Sequence, residues 1–350
     1  MNTKIVTSIL AVITVISLLS VAFMYTNYSG QVSDLKNQVN SLQATVNTQQ
    51  AQLNTYQSQT NQTTSTQNIT VIDDEGYALT MNTIPQRVVS LAPSNTQVMF
   101  AIEAGSKVVG VTDYDTYPYN FSAWIAAGNM TSIGGYSTPN KEVIASLHPD
   151  LILATPINDV DVVTLRSLGY NVLVINPTTV SGVLQDISLI GRAVGAEAGA
   201  ATVINNISSE ISSVTSKIAA ANMTKQPTIF YEIWDNPLMT AGGTSWVNDL
   251  LNKVGAVNIF ANETQGFPTV SSESVVQLNP DVILLPSSMG SGQITPDQVK
   301  GNAGWNTINA VKNNRVVVID GDLFSEAGPR LAEQVDAIAK AIYPELFNSP

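Results

Sequence analysis

A chain of 350 residues with 44% apolar and only 12% charged residues is long enough for two globular lobes and supplies ample core. Its formal charge of -12, with no basic cluster longer than two residues, repels a phosphate backbone and excludes nucleic acid as a partner. With no cysteine there are no disulfides, thiolate metal sites or lipid-bearing cysteine, and the single histidine, His148, supplies neither a multi-histidine metal centre nor a typical triad.

Ile5 to Tyr25 is 21 residues without a charge, matching the ~20 that cross a bilayer as a helix. An uncleaved anchor is the first reading. Ser20-Val21-Ala22 also has the small residues of a cleavage site, so a removed signal peptide is the alternative. Lys4 as the only cation before it favours an inside N-terminus and an extracellular or periplasmic globular part. Asn-x-Ser/Thr sequons begin at Asn27, Asn61, Asn68, Asn120, Asn129, Asn206, Asn222 and Asn262, all on that outer side. From Val32, apolar positions at Leu35, Val39, Leu42, Val46, Leu53 and Tyr56 follow a heptad spacing. The flanks are mostly Gln, Asn, Ser and Thr with hardly any charge pairing. A coiled-coil stalk, with self-association through it, and a flexible polar tether both fit.

The globular part opens at Ile69 to Met81, where two apolar runs flank Asp74-Glu75-Gly76, a hairpin signal. Val88 to Ala92 and Lys107 to Thr112 then read as buried strands around a helix from about Ser94. Glu142 to Leu153, EVIASLHPDLIL, has a second copy at Glu273 to Leu284, ESVVQLNPDVIL. Each copy spells a helix stopped at His148-Pro149 or Asn279-Pro280, a turn, and an unbroken aliphatic strand, which predicts two α/β lobes of similar plan. His148 is expected to be a turn residue. Between the lobes, Val183 to Val194 and Ala196 to Ala221 carry helical periodicity, broken at Gly195. TIFYEIW, a helix near Ser245 to Val254, RVVVID at Arg315 to Asp320 and a last helix from about Pro329 complete the second lobe. The expected divisions are residues 1–28 (anchor or signal), 29–68 (stalk), 69–178 (N-terminal lobe), 179–224 (connecting helices) and 225–350 (C-terminal lobe).

In open α/β sheets ligands lie outside the carboxyl ends of the strands. The segments there supply Ser94 and Asn95 and are rich in aromatics: Tyr114, Tyr117, Tyr136, Trp234, Trp246, Phe267 and Phe324. Flat apolar faces with polar rims suit a large planar ligand; packing of the loops themselves is the alternative for any one of them. The same segments hold Asp113, Asp115, Glu232, Asp235, Asp322 and Glu326 against Arg330 as the nearest clear cation. A carboxylate-rich cleft repels a catecholate siderophore or haem propionates and tolerates a corrinoid of near-zero net charge. Arg330 is either a polar ligand contact or a structural ion pair. No G-x-S-x-G elbow, P-loop or G-x-G-x-x-G after a strand occurs, which disfavours an enzyme. One histidine and no cysteine also disfavour direct metal capture. A stalked surface adhesion protein is the third class.

RVVSLAPSNTQVMFAI, KVVGVTDYDTYP, IGGYSTPNKEVIASLHPDLILA, FPTVSSESVVQLNPDVILL and GPRLAEQVDAIAKAIYPELF resemble the cobalamin and ferric-siderophore binding proteins of ABC importers. The resemblance covers about Ile84 to Phe347. It implies two Rossmann-like lobes joined by a long rigid helix, a cobalamin-like or siderophore ligand in the cleft, no turnover and no cofactor. Delivery to an ABC permease and its ATPase is implied too, with Glu142 and Glu273 as the docking carboxylates. The chain departs from many relatives in lacking the lipid-bearing cysteine, in its extra anchor and stalk, and in having Gln97 where relatives commonly have Glu.

Overall fold

The computed structural model describes residues 41, 44–46, 48, 68–156, 159–287, 294–324 and 326–347. The chain forms two units, 1–67 and 68–350. In the first, the described residues are helical, and Thr45 and Thr48 Oγ1 donate back to the carbonyls of Ser41 and Ala44. The expected membrane segment and most of the expected stalk lie outside the described residues. Among those described, no helix is long and apolar enough to cross a membrane.

The second unit begins with the expected hairpin, β1 (Ile69–Ile72) against β2 (Ala78–Met81), in register from Ile69 opposite Met81 to Ile72 opposite Ala78. Alternation puts Val71, Leu79 and Met81 in the core. Asp73 organises the turn. Its Oδ1 accepts from the Glu75 and Tyr77 amides, and its Oδ2 from the Val174 amide and the Arg166 guanidinium, which lies 3.9 Å from the Tyr77 ring centroid. Arg166→Ala leaves Asp73 its three amide donors but removes the charged one. We expect a loss of about 1–3 kcal/mol, read as a lower Tm with faster proteolysis within residues 68–81.

The N-terminal lobe is a five-stranded parallel sheet in the order β5-β4-β3-β8-β9, from β3 (Val88–Ser90), β4 (Val108–Val111), β5 (Thr131–Ser132), β8 (Leu151–Ala154) and β9 (Val172–Val174). A small hairpin, β6 (Gly134–Gly135) with β7 (Thr138–Pro139), follows β5. The strands read as continuous aliphatic runs because both faces are covered: Val88, Leu151, Leu153 and Leu173 pack into one core cluster, Val89, Ile152, Val172 and Val174 into another. Helices α1 (Pro93–Ala101), α2 (Phe121–Ala126), α3 (Lys141–Ser146) and α4 (Asp159–Ser167) connect the strands.

Two helices leave this lobe, α5 (Val180–Val194) and α6 (Glu197–Ala220). Gly195 between them has φ +69, and a Cβ on Gly191 would lie 2.6 Å from Ala200, so this sharp, close turn requires glycine at both positions. Twenty-four residues make α6 about 36 Å long. It packs on α5 and on the helix Leu331–Ile342 of the far lobe.

The C-terminal lobe repeats the plan with β10 (Thr228–Trp234), β11 (Met239–Thr240), β12 (Val257–Asn258), β13 (Val282–Pro286) and β14 (Val316–Ile319), in the order β11-β10-β13-β14 with β12 also on β10. Only β11 runs antiparallel. The helices in chain order are α7 (Trp246–Lys253), α8 (Ser272–Leu278), α9 (Pro296–Gly301), α10 (Asn309–Lys312), α11 (Gly321–Phe324), α12 (Leu331–Ile342) and α13 (Pro344–Phe347). One core cluster contains Val88 and Leu151 of the first sheet, Ile187 of α5, Ile207 of α6, and Ile229 and Leu284 of the second sheet, so the lobes share apolar packing.

The repeated sequence now has a physical account. Just past the ends of α3 and α8, His148 and Asn279 are both left-handed, with φ of 46 and 48, and carry the turn into each proline. The following aspartates tie down the neighbouring strand. Asp150 accepts from the Gln86 and Arg87 amides just before β3, and Asp281 from the Thr228 amide and hydroxyl at the start of β10.

Candidate functional site

Parallel strands that all end on one side bring their following segments together. After β3, Pro93 takes the first helical position of α1, where its missing N–H costs nothing, and Ser94 follows it into the cleft. After β4 come Asp113, Tyr114 and Thr116; the β6–β7 hairpin carries Tyr136 and Ser137. The far lobe contributes Asp322 of α11 and Glu326 beyond it. These residues enclose about 470 Å³ between the lobes, within the size range of small-molecule sites.

Electrostatically the floor is acidic. Asp115 is buried, with Oδ2 accepting from the Thr112 amide at 2.8 Å and the Thr112 hydroxyl at 2.6 Å. Burial nevertheless raises its pKa, opposed by hydrogen bonds from Thr112 and Thr96. Glu326 is pushed up to about 7 by burial first and by the charge of Asp115 second, against the pull of a hydrogen bond from Gln97 and the charge of Arg330. Gln97 Nε2 donates to Glu326 Oε2, joining α1 of one lobe to the strand-end loop of the other.

A second cavity of about 400 Å³ adjoins this bond, lined by Gln97, Phe100, Tyr117, Tyr119, Val203, Ile207 and Arg330 among others. The Arg330 guanidinium sits 4.5 Å from the Tyr117 ring centroid while its Nε and Nη2 both donate to Glu333 Oε2. Arg330 thus pairs with Glu333 and also lines this cavity.

Of the residues expected at the site, Ser94, Tyr114 and Tyr136 line the interlobe cleft, and Tyr117 and Arg330 the adjoining cavity. Asn95 is buried and its Nδ2 donates to the Ala154 carbonyl, holding α1 to β8. Trp234, Trp246 and Phe267 line neither cavity. The Trp234 indole donates to the Asn236 carbonyl, Trp246 opens α7 and packs on the main core, and Phe267 is exposed. Thr116 and Ser137 were not anticipated, because serine and threonine at a strand end carry no distinguishing pattern. Glu142 and Glu273 are exposed in the first turns of α3 and α8, behind the side-chain caps Asn140 and Ser271. Among the described residues no group of three or more carboxylates and histidines could hold a metal ion.

The comparisons with known proteins agree with this architecture. Residues 88–323 match the family described as periplasmic binding protein. The chain is 34% identical over 291 residues to an uncharacterised ABC transporter substrate-binding lipoprotein, YvrC, of Bacillus subtilis, covering 80% of this chain and 87% of that one. It is 28% identical over 286 residues to a cobalamin-binding protein of Halobacterium salinarum, covering 79% and 74%. Among solved structures, a possible iron-binding (periplasmic solute-binding) protein of Staphylococcus epidermidis superposes with a TM-score of 0.65 at 27% identity, covering 75% of this chain and all of that one. The fold, the cleft between its lobes and these matches together place the chain in the periplasmic binding protein family, as a solute-binding protein and not an enzyme.

Proposed function

We propose that this protein is the substrate-binding component of an ABC importer, that it captures a corrinoid in the interlobe cleft, and that it delivers the ligand to a membrane permease. The observation that carries the choice of ligand is the charge of the cleft. Asp113, Asp322 and Glu326 line it and Asp115 lies behind, while Arg330 is engaged with Glu333. Such a surface disfavours polyanionic siderophores and haem propionates and accepts a neutral ring whose edges bear hydrogen-bonding groups. Tyr114 and Tyr136 supply flat faces, and Ser94 a hydroxyl, for first contacts. Trp234, Trp246 and Phe267 enter only with a ligand that extends past this cavity. The similarity to a cobalamin-binding protein supports the reading, and that to a possible iron-binding protein supports the ferric-siderophore or haem alternative. In the proposed arrangement Ile5 to Tyr25 tethers the chain to the outer face of the membrane, on the strength of its apolar length.

The test is calorimetric titration of the purified protein with cobalamin, cobinamide, a ferric catecholate siderophore and haem. Saturable binding of the corrinoids, with the two anionic ligands weaker by roughly a hundredfold or more, is the expected result. Tight siderophore or haem binding without corrinoid binding reverses the assignment.

A further inference from the structure

Gln97 and Glu326 lie 229 positions apart in sequence and belong to opposite lobes, yet their side chains are directly hydrogen-bonded. The bond stands between the two cavities: Glu326 lines the cleft and Gln97 lines its neighbour. Glu326 is crowded by like charge, with Asp115 behind it and Asp322 beside it. It therefore needs an N–H donor, and a carboxamide is a donor that brings no ion with it. The donor that meets Glu326 is the Gln97 carboxamide.

We propose that the Gln97 carboxamide stands in for a carboxamide of the ligand: on binding, a primary amide at the ligand's edge displaces Gln97 from Glu326, which selects amide-bearing ligands over their carboxylate counterparts. The inference rests on the corrinoid reading, since corrinoids carry carboxamide side chains around the ring. Three features support the exchange. Gln97 already borders a cavity of about 400 Å³, so its side chain has space to swing into once displaced. Replacing one amide donor by another leaves Glu326 satisfied throughout, so the exchange costs little net hydrogen bonding. A ligand carboxylate at the same place would instead meet Glu326, Asp115 and Asp322 together, three acidic groups against the one cation whose charge reaches Glu326, Arg330, which already shares its Nε and Nη2 with Glu333.

The experiment titrates the full chain at pH 8 with dicyanocobinamide, whose periphery is amides, and dicyanocobyrinic acid, whose periphery is carboxylates. Wild type is expected to prefer the amide ligand by roughly a hundredfold or more, and E326Q, nearly isosteric and able to donate to a carboxylate, to narrow that preference about tenfold. Q97A removes the internal competitor and is expected to bind dicyanocobinamide about two- to fivefold more tightly, a gain that disappears when Q97A is introduced into E326A. A Gln97–Glu326 bond that only braces the lobes predicts the opposite, a weaker ligand complex and a lower Tm for Q97A, and that result overturns the proposal. So does a preference in E326Q within about twofold of wild type. If wild type binds neither probe, the corrinoid reading falls and the exchange falls with it; if wild type binds the amide probe and the variants behave as a brace, the corrinoid reading stands alone.

Discussion

Changing Glu142 and Glu273 to alanine together is expected to lower ligand uptake roughly tenfold or more, in cells carrying the cognate permease, while ligand affinity and Tm stay close to wild type. Both carboxylates are exposed, each in the first turn of the helix that opens one copy of the repeat, so the two lobes present one charge apiece at a fixed spacing. That arrangement suits a permease with a positive residue on each of two subunits. The competing account is helix chemistry, since an acidic first-turn residue gains about 0.3–1 kcal/mol from the helix dipole. Each helix has its own side-chain cap on one N-terminal amide, Asn140 accepting from the Val143 amide at 3.0 Å and Ser271 from the Ser274 amide at 3.1 Å. Alanine at both positions therefore leaves the caps intact. Uptake that falls only in step with Tm, or does not fall, assigns these glutamates to helix stability and removes them from docking. Single variants add a second check, because two separate contacts give each substitution a partial defect of its own.

The repeat was the most legible part of the chain. Its Pro-Asp pairs marked helix ends and strand starts, and the structure supplies the reason: Asp150 and Asp281 hold the backbone amides that precede β3 and open β10. The aliphatic runs were readable because strands buried on both faces cannot tolerate polar alternation. Loop convergence was not readable. Nothing at Gln97 signals that its carboxamide meets Glu326, and nothing at Arg166 signals that it closes a hairpin turn begun at Asp73. Aromatic content likewise fixes no direction. Tyr114 and Tyr136 reach the cleft, whereas Trp246, in an equally aromatic segment, opens a helix and packs inward. Periodicity reports which face of an element is buried, but the side chains of irregular segments are oriented by neighbours distant in sequence. Glu232, expected among the carboxylates of the strand-end segments, lies instead inside β10 and is buried away from the cleft lining.

Glu232→Leu is expected to stabilise the protein by about 3–5 kcal/mol more at pH 8 than at pH 4. Glu232 lies in β10 and is fully buried, on the strand face that it shares with Phe230, and neither of its carboxyl oxygens has a hydrogen-bond partner. Burial, with the charge of Asp235 as a lesser cause, pushes its pKa up to about 8 from 4.5. The sign of the effect follows from proton counting. Between pH 4.5 and 8 the unfolded chain has released this proton while the folded chain keeps it, so folding takes up a proton and stability falls as pH rises across that window. Below the window the carboxyl is neutral in both states and the cost is confined to its unmade hydrogen bonds. Leucine fills similar volume, leaves no polar atom unsatisfied and has no proton to exchange. Asp186, buried in α5 and raised to about 8 by burial and by the neighbouring Asp74, titrates in the same direction. The variant should therefore keep part of the wild-type slope and lose the share due to Glu232. Melting curves of both proteins from pH 4 to pH 9 make the comparison, with a Tm gain of about 10 °C expected at pH 8. Equal melting temperatures at pH 8, or a difference of the same size at both ends of the range, would show that Glu232 is not held protonated in the fold.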